Sequence, residues 1–418
     1  MGTRIKQWYP AWVPDKKNMN QIKNNNDQAT VKPVFQRGNI LAISIAHFVH
    51  DVYSGFLAPI LPIIIKNLQI SYTAASLLAI AQSLPSLLNP LIGWLAEKLS
   101  LRIFIVISPA ITAIAMSLLG MADSYLALLL ILLIAGVSGA FFHVPAPVYI
   151  KRIAHGATGR GMSFYMLGGE LSRTVAPLVI LSAITQWGLD GTWRLMPIGL
   201  VASLILFFKI RKLPHKEIQS NKKSTSSPMM VFKQHQRIII SAGFFNFFRG
   251  CIKTAFTTFL PVYLISQGST IWYAGLTLAL VQLAGALGTY LAGTLSDIVG
   301  RRVVLIATML TTIGVGTLVM AIGGQPPIAL LMIIGFAIFA TSPVMMACVN
   351  EIKSEKLAFL NGLYMTVSFL MSAGATALFG LASDVYGLKI AYWVAIGLSI
   401  FSIPTIIALT KKTPEVTK

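Results

Sequence analysis

The chain has 418 residues, of which 55% are hydrophobic and 11% are charged, and its formal net charge is +20. A water-soluble protein carries roughly 25% charged residues, so this composition excludes a soluble globular protein and indicates that lipid surrounds most of the chain. The basic residues cluster in short segments between apolar runs, not along one polar face, which argues against a nucleic acid as partner.

Apolar runs of about 20 residues, the length that crosses a bilayer, recur along the chain after a polar segment at residues 1–38. The first six are 39–65, 73–95, 101–121, 124–150, 161–186 and 192–210. A polar stretch at 211–237 separates them from six more, at 238–266, 271–295, 303–322, 327–350, 357–383 and 389–410. We therefore predict an all-α integral membrane protein with twelve transmembrane helices, followed by a short polar tail at 411–418.

The distribution of Lys and Arg predicts the orientation of these spans. With the N-terminus inside, 27 of the 33 basic residues fall on the cytoplasmic side, and the outer loops hold only Lys66, Arg194 and Lys389. We expect both termini and the 211–237 linker to be cytoplasmic. The expected location is the cytoplasmic (inner) membrane of a bacterium.

A repeat with a period of 200 residues joins the two sets of spans. The loop Gly93–Arg102 after the second span returns as Gly293–Arg302 after the eighth, and each copy carries an acid and a base. The repeat predicts two homologous six-helix bundles, at 39–210 and 238–410, which face the same way in the membrane. Parallel repeats of this kind are an architecture of secondary transporters.

These features together resemble the major facilitator superfamily, whose loop after the eighth span has the pattern G-x-L-S-D-x-x-G-R-R. The segments His47-Phe48-x-x-Asp51-x-Tyr53 and Phe142-His143-x-Pro145 resemble its fosmidomycin-resistance branch more narrowly. The resemblance implies the major facilitator fold and, through that branch, efflux.

The resemblance also implies a cytoplasmic gate in the two repeated loops. The second loop matches the family pattern, whereas the first has Glu97 in place of Asp, Ser100 in place of Gly and Leu101 in place of Arg. The gating residues expected from it are Asp297, Arg301, Arg302, Glu97 and Arg102.

Ionisable side chains inside the spans are candidate functional residues, because each opposes membrane insertion by roughly 2.5–3.5 kcal/mol. The acids are Asp51 and Glu170, and histidines lie near Asp51 on its own span and on the fourth. We predict proton coupling at Asp51, Glu170, His47 and His143. The alternatives are that Asp51 is permanently paired with Arg173, that Glu170 and Arg173 form a structural ion pair, and that His143 only packs.

Three basic residues within the spans, Arg173, Arg249 and Lys253, outnumber the two acids. Asn246, Arg249 and Lys253 lie on one face of the seventh span, and the surplus positive charge predicts a cavity for an anion. We expect Arg249, Lys253, Arg173, Asn246 and Tyr53 to contact the cargo. Structural pairing of the bases and snorkelling of Lys253 to the interface remain alternatives.

The sequence thus predicts a proton-coupled secondary transporter of a small organic anion that works by alternating access, with efflux favoured by the resemblance alone. One alternative is proton symport that takes up an anionic nutrient or siderophore, and another is a membrane sensor that does not transport. A nucleophile, nucleotide or metal motif is missing from the sequence, so we expect no enzymatic activity, no cofactor and no metal. We expect a monomer.

Overall fold

The computed structural model describes residues 35–89, 91–92, 102–155, 157–211, 228–352, 354 and 357–410. The N-terminal helices are α1 Arg37–Ser54, α2 Leu57–Leu68, α3 Tyr72–Ser83, α4 Arg102–Ser117, α5 Tyr125–His143, α6 Pro145–Ile153, α7 Thr158–Trp187 and α8 Met196–Ile210. The C-terminal helices are α9 Pro228–Phe256, α10 Leu260–Ser266, α11 Ile271–Val299, α12 Arg301–Ile322, α13 Ile328–Asn350, α14 Leu357–Tyr386, α15 Leu388–Ser399 and α16 Ser402–Thr410. These ranges contain no β-strand, which confirms the all-α prediction for the part of the chain that they cover.

Ten stretches within these ranges are long and apolar enough to cross a membrane. Each matches a predicted span, and the ends agree within about four residues. The two other predicted spans differ: Tyr72–Leu88 is a shorter apolar helix, and α9 with α10 is not among the ten. The multi-pass membrane fold is therefore confirmed, whereas the number twelve stays a prediction.

The first and seventh predicted spans are interrupted at equivalent positions. The first breaks between α1 and α2 at Gly55 and Phe56, and the seventh breaks between α9 and α10 at residues 257–259. Pro62 lies inside α2 and Pro261 lies in the first turn of α10. A proline thus follows each break within the next short helix, and proline disfavours a continuous helix because it lacks a backbone N–H.

Tyrosine side chains tie the first and last helices of each set together. The Tyr53 hydroxyl donates to the Leu195 carbonyl at 2.5 Å, and the Tyr392 hydroxyl donates to the Ala255 carbonyl at 2.6 Å. Both tyrosines are buried, so each bond satisfies a polar group that would otherwise be unpaired among apolar side chains. Each bond links the first predicted span of its set to the last one.

Three apolar clusters show how the two sets of helices meet. We call the membrane face near residues 37, 211 and 410 the linker side, and the opposite face the distal side. Toward the linker side, the N-terminal helices pack around Ile43 and Phe142 and the C-terminal helices pack around Phe245 and Met309, in two separate clusters. Toward the distal side, a single cluster contains side chains from both sets.

Polar contacts between the two sets of helices also lie on the distal side. The Asp384 carboxylate at the end of α14 accepts hydrogen bonds from the backbone N–H groups of Tyr72 and Thr73, at 2.7 and 2.9 Å. The indole N–H of Trp272 donates to Thr185 Oγ1 at 3.0 Å. The described helices are therefore joined at their distal ends, and separate cores form toward the linker side.

Candidate functional site

A buried cluster on α1, α5 and α7 surrounds the carboxylate of Asp51. His47 Nε2 lies 3.1 Å from Asp51 Oδ2, whereas His50 Nδ1 and His143 Nε2 lie 2.9 and 3.2 Å from Oδ1. Asp51 and His47 lie one helical turn apart on α1, so their side chains meet on one face. The side chains of Asp51 and His50 are 11% and 0% exposed, whereas that of His143 is 42% exposed.

Tyr165 on α7 fixes how the histidine nitrogens can be protonated. Its backbone carbonyl lies 2.8 Å from His47 Nδ1, and a carbonyl can only accept, so His47 Nδ1 carries a hydrogen. The contact between His47 Nε2 and Asp51 then requires one further proton, held by either partner. The Tyr165 hydroxyl lies 3.3 Å from His143 Nδ1, so the same residue contacts the second histidine as well.

This arrangement allows a proton to move over short distances inside the cluster. Asp51 can receive a proton from His47 or His143 without a helix moving, because both nitrogens are already at hydrogen-bond distance. The ligand atoms of His47, Asp51 and His143 also lie within 4.8 Å of one another, close enough to meet at one metal ion. The contacts around Asp51 themselves have the lengths of hydrogen bonds.

A cavity of about 430 Å³ lies between α3 and the C-terminal helices α9, α13 and α14. Arg249 and Lys253 line it, together with Asn246, and Ala79 contributes to the wall from α3. Hydroxyl groups make up much of the remaining lining, from Ser83, Thr254, Thr257, Thr258, Ser342, Tyr364, Ser368, Ser372 and Thr376. No carboxylate is among these described lining residues, so the cavity has positive charge and many hydrogen-bonding groups.

Arg249 is buried against α13 through backbone and hydroxyl contacts. Its Nε and Nη2 donate to the Ile338 carbonyl at 3.2 and 2.9 Å, and Nη2 donates to Ser342 Oγ at 2.8 Å. These bonds fix one edge of the guanidinium. Within the described ranges its Nη1 makes no hydrogen bond and no acid lies within 4 Å, so its charge is not neutralised by an ion pair.

Lys253 lies one turn further along α9. Its Nζ is 5.6 Å from the centre of the Phe339 ring, and it has no ion-pair partner in the part of the chain that the structure describes. The charges that act on Lys253 are those of Arg249, Arg173 and Glu170. The two cations thus present unpaired donors to one cavity, and the Glu170–Arg173 pair lies near enough to interact with Lys253.

Three residues expected at the site lie elsewhere or are differently paired. Glu170 Oε2 accepts from Arg173 Nη1 at 3.1 Å, so Arg173 contacts Glu170 and does not pair with Asp51 as one alternative supposed. Glu170 and Arg173 are both missing from the described residues that line the cavity. Tyr53 lies in the apolar core with its hydroxyl on Leu195, so its placement does not support the expected contact with cargo.

The loop after α11 forms an ionic network at the linker side. Arg301 Nη2 lies 2.5 Å from Asp297 Oδ1 and 2.9 Å from Glu351 Oε1, and Arg301 Nη1 also donates to Ser296 Oγ. Glu351 caps the end of α13, so Arg301 joins the ends of α11 and α13 to the start of α12. Arg302 is exposed and takes no part in this network.

The first copy of this loop is described only at its end. Arg102 Nη1 donates to the carbonyls of Ile210 and Arg211, at 3.3 and 2.6 Å, and so links α4 to the end of α8. Glu97 lies outside the described residues. Most of the 211–237 linker and all of the 411–418 tail also lie outside them.

Sequence reasoning did not identify Tyr165 and Glu351 as parts of these sites. Tyr165 lies 118 residues from His47, and no local pattern indicates that α7 packs on α1 at this point. Glu351 could have been found, because it is an acid at the end of a predicted span on the same side as the repeated loop around Arg301. His50 could also have been predicted as part of the site, because it immediately precedes Asp51 on the first span.

Comparisons with known proteins agree with this architecture. A family model described as Major Facilitator Superfamily matches residues 43–376. The fosmidomycin resistance protein of Escherichia coli (strain K12) is 22% identical over 389 residues, which cover 90% of this chain and 94% of that protein. An uncharacterized MFS-type transporter of Bacillus subtilis (strain 168), YfnC, is 24% identical over 399 residues, with the same coverage of 90% and 94%.

Solved structures with the same fold include two transporters. The nucleoside transporter NupG aligns with a TM-score of 0.72 and 16% identity, over 90% of this chain and 100% of that chain. A bacterial homolog of the human lysosomal transporter Spinster, in an inward-facing and unoccupied conformation, aligns with a TM-score of 0.69 and 17% identity, over 90% and 95% of the two chains. At these identities the likeness concerns the fold alone.

Proposed function

Because this chain belongs to the major facilitator superfamily and is a secondary transporter in the membrane, we propose that its cargo is a small organic anion and that protons drive its transport. The observation that carries the proposal is the cavity that holds Arg249 and Lys253 without a described acid partner. Two unneutralised cations at membrane depth are unfavourable, and a bound anion relieves that cost. Asn246 and the hydroxyl groups of the lining would bind the rest of the cargo.

Proton coupling is assigned to the Asp51 cluster. His47, His50 and His143 are within hydrogen-bond distance of the carboxylate, and this supports a group that gains and loses a proton during the cycle. Glu170, which pairs with Arg173 and whose charge acts on Lys253, is the proposed second acid. In this scheme it links the proton site on the N-terminal helices to the cargo site on the C-terminal helices.

Alternating access requires the two six-helix bundles, 39–210 and 238–410, to rock about the cavity. The distal contacts through Asp384 and Trp272, and the separate cores on the linker side, support a conformation closed at the distal end. We propose that the linker side is cytoplasmic, following the distribution of basic residues, and that this conformation faces inward. The proposed location is the cytoplasmic membrane of a bacterium, with one chain as the transport unit because it contains both bundles.

Efflux by proton antiport is the proposed direction, and the name of the E. coli relative supports it. Symport of an anionic nutrient or siderophore uses the same fold and remains the second candidate. The non-transporting sensor has no observation in its favour.

A two-step experiment tests the proposal. A thermal-shift screen of the purified protein against phosphonates, carboxylates and lipophilic cations first identifies a ligand, with fosmidomycin included as a probe. Accumulation of that ligand is then measured in reconstituted vesicles under an imposed pH gradient. Inside-acid vesicles should accumulate it if transport is antiport, and outside-acid conditions should drive symport. Stabilisation by lipophilic cations only would overturn the anionic cargo, and transport that ignores both gradients would overturn proton coupling.

A further inference from the structure

The ring of His47 is held between two positions of α7 that lie one helical turn apart. On one side the Tyr165 ring stacks on it with the ring centres 3.9 Å apart, and the Tyr165 carbonyl bonds its Nδ1 at 2.8 Å. Gly169 also lies against the ring, and the absence of a side chain there leaves room for the imidazole. We call Tyr165 and Gly169 the His47 seat.

The His47 ring lies so close to Gly169 that a side chain would not fit at this position. A Cβ atom at this position would lie 2.5 Å from His47 Cε1 and 2.9 Å from Nε2, and Nε2 is the atom that contacts Asp51. Tyr165 stacks on the ring and the Phe142 ring centre lies 5.7 Å away, so aromatic neighbours limit how the imidazole can move. Any side chain at 169 must therefore displace the imidazole from the carboxylate.

The neighbouring Gly168 explains why α7 comes so close to α1. A Cβ at Gly168 would lie 2.5 Å from the Ser44 carbonyl oxygen. Small residues let two membrane helices approach with their backbones nearly in contact. The Gly168-Gly169 pair thus brings α7 against the turn of α1 that carries His47.

We propose that Gly169 and Tyr165 are positioning residues that hold His47 on Asp51 and thereby set the proton affinity of the cluster. This inference rests on the proposed proton coupling. The groups that face His47 are Asp51 and His50 from α1, His143 from α5 and Tyr165 from α7. The helices α4, α6 and α8 also pack on α1, and none of their described ionisable side chains forms a hydrogen bond or an ion pair with the cluster.

The test follows the protonation of Asp51 directly and needs no cargo. Infrared difference spectroscopy of the purified protein in lipid detects the carbonyl stretch of a protonated carboxyl group as pH is varied, and Asp51→Asn identifies the Asp51 band. Gly169→Ala should move the midpoint of that titration by about one pH unit, to the value found for His47→Ala, because both remove the same hydrogen bond. Gly159→Ala is the matched control on α7, because a Cβ at Gly159 meets nothing within 4 Å.

A double-mutant cycle shows whether Gly169→Ala acts through the His47 ring or through a general disturbance of helix packing. In the His47→Ala background the imidazole is gone, so Gly169→Ala should cause no further shift and should unfold at the temperature of the His47→Ala parent. Additive shifts in the double variant would overturn the inference, and so would a Gly169→Ala midpoint equal to wild type. If wild type shows no Asp51 titration, the proposed proton coupling itself fails, which is a different result from a silent Gly169→Ala. If Gly169→Ala alone does not fold, recovery of folding by His47→Ala supports the seat, and failure to recover contradicts it.

Discussion

His143 Nε2 lies 3.2 Å from Asp51 Oδ1. The Asp51 side chain is 11% exposed, whereas the His143 side chain is 42% exposed. The two residues lie on different helices, α5 and α1. Of the three histidines around Asp51, His143 is the one most open to the surroundings, because His47 and His50 are 6% and 0% exposed. If the proposed proton coupling holds, we expect protons to reach Asp51 through His143.

Asp51→Asn should abolish transport driven by a pH gradient and leave counterflow, the exchange of cargo for cargo, intact. The asparagine keeps the size of the side chain but cannot release a proton at physiological pH. Driven uptake in vesicles should fall to the level of protein-free vesicles. Asp123→Asn, at an exposed acid between α4 and α5, is the control and should transport normally. Driven transport that survives Asp51→Asn would contradict the assignment of Asp51.

His143→Gln should slow proton delivery without preventing proton binding. The amide can still bond Asp51, but it cannot carry a proton from the exposed side of the cluster. General acid–base groups contribute about 10²- to 10⁴-fold to proton transfer, so we expect a loss of driven transport of at least tenfold at neutral pH. Counterflow should change little. Equal losses in driven transport and counterflow would indicate a packing role instead.

Arg249→Gln and Lys253→Gln should weaken the binding of anions far more than that of neutral compounds. A hydrogen bond to a charged group contributes about 1.5–3 kcal/mol, which corresponds to roughly 10- to 100-fold in affinity for each substitution. Titration calorimetry with the anion identified in the screen measures this loss. Lys389→Gln, an exposed base on α15, is the control. Equal losses for charged and neutral ligands would count against an anionic cargo.

Asp297→Asn combined with Glu351→Gln should slow the transport cycle without a change in cargo affinity. Arg301 contacts both acids, but each acid is about 60% exposed, so each ion pair contributes only about 0.2–1 kcal/mol. We expect a two- to fivefold slower exchange rate for a single substitution and a larger effect for the pair. Arg302→Gln should have a smaller effect than either, because Arg302 lies outside the network. A change confined to affinity would refute a gating role.

Asp384→Asn should favour opening of the distal side. The carboxylate accepts two backbone N–H groups at the start of α3, where a negative charge is favourable, and the amide offers a single acceptor oxygen. Labelling of Ala79→Cys in the cavity wall, in a background without Cys251 and Cys348, should become about two- to tenfold faster with an impermeant maleimide added from the distal side. Asp190→Asn is the control. An unchanged labelling rate would show that Asp384 does not hold the distal side closed.

Spacing along the sequence predicted partners of the charged residues only where both lie on the same helix. The sequence placed His47 correctly beside Asp51, because residues four apart share a helix face. It did not place His143, 92 positions from Asp51, or Tyr165 at this site, since those contacts depend on how α5 and α7 cross α1. The same limit explains Tyr53, whose hydroxyl donates to the backbone carbonyl of Leu195. The Glu170–Arg173 contact is different, because these residues lie three apart on α7 and their ion pair was one of the alternatives that the spacing offered.

The sequence by itself determined that this is a multi-pass membrane protein with a repeated loop and a few ionisable residues inside its spans. It could do so because a bilayer demands about 20 apolar residues for each crossing and disfavours every charge within one. Only the tertiary structure decided which charges are neutralised, which remain unpaired in a cavity, and at which end the helices join. Those outcomes depend on side-chain contacts between helices far apart in the chain, and small differences in packing such as the space at Gly169 determine them.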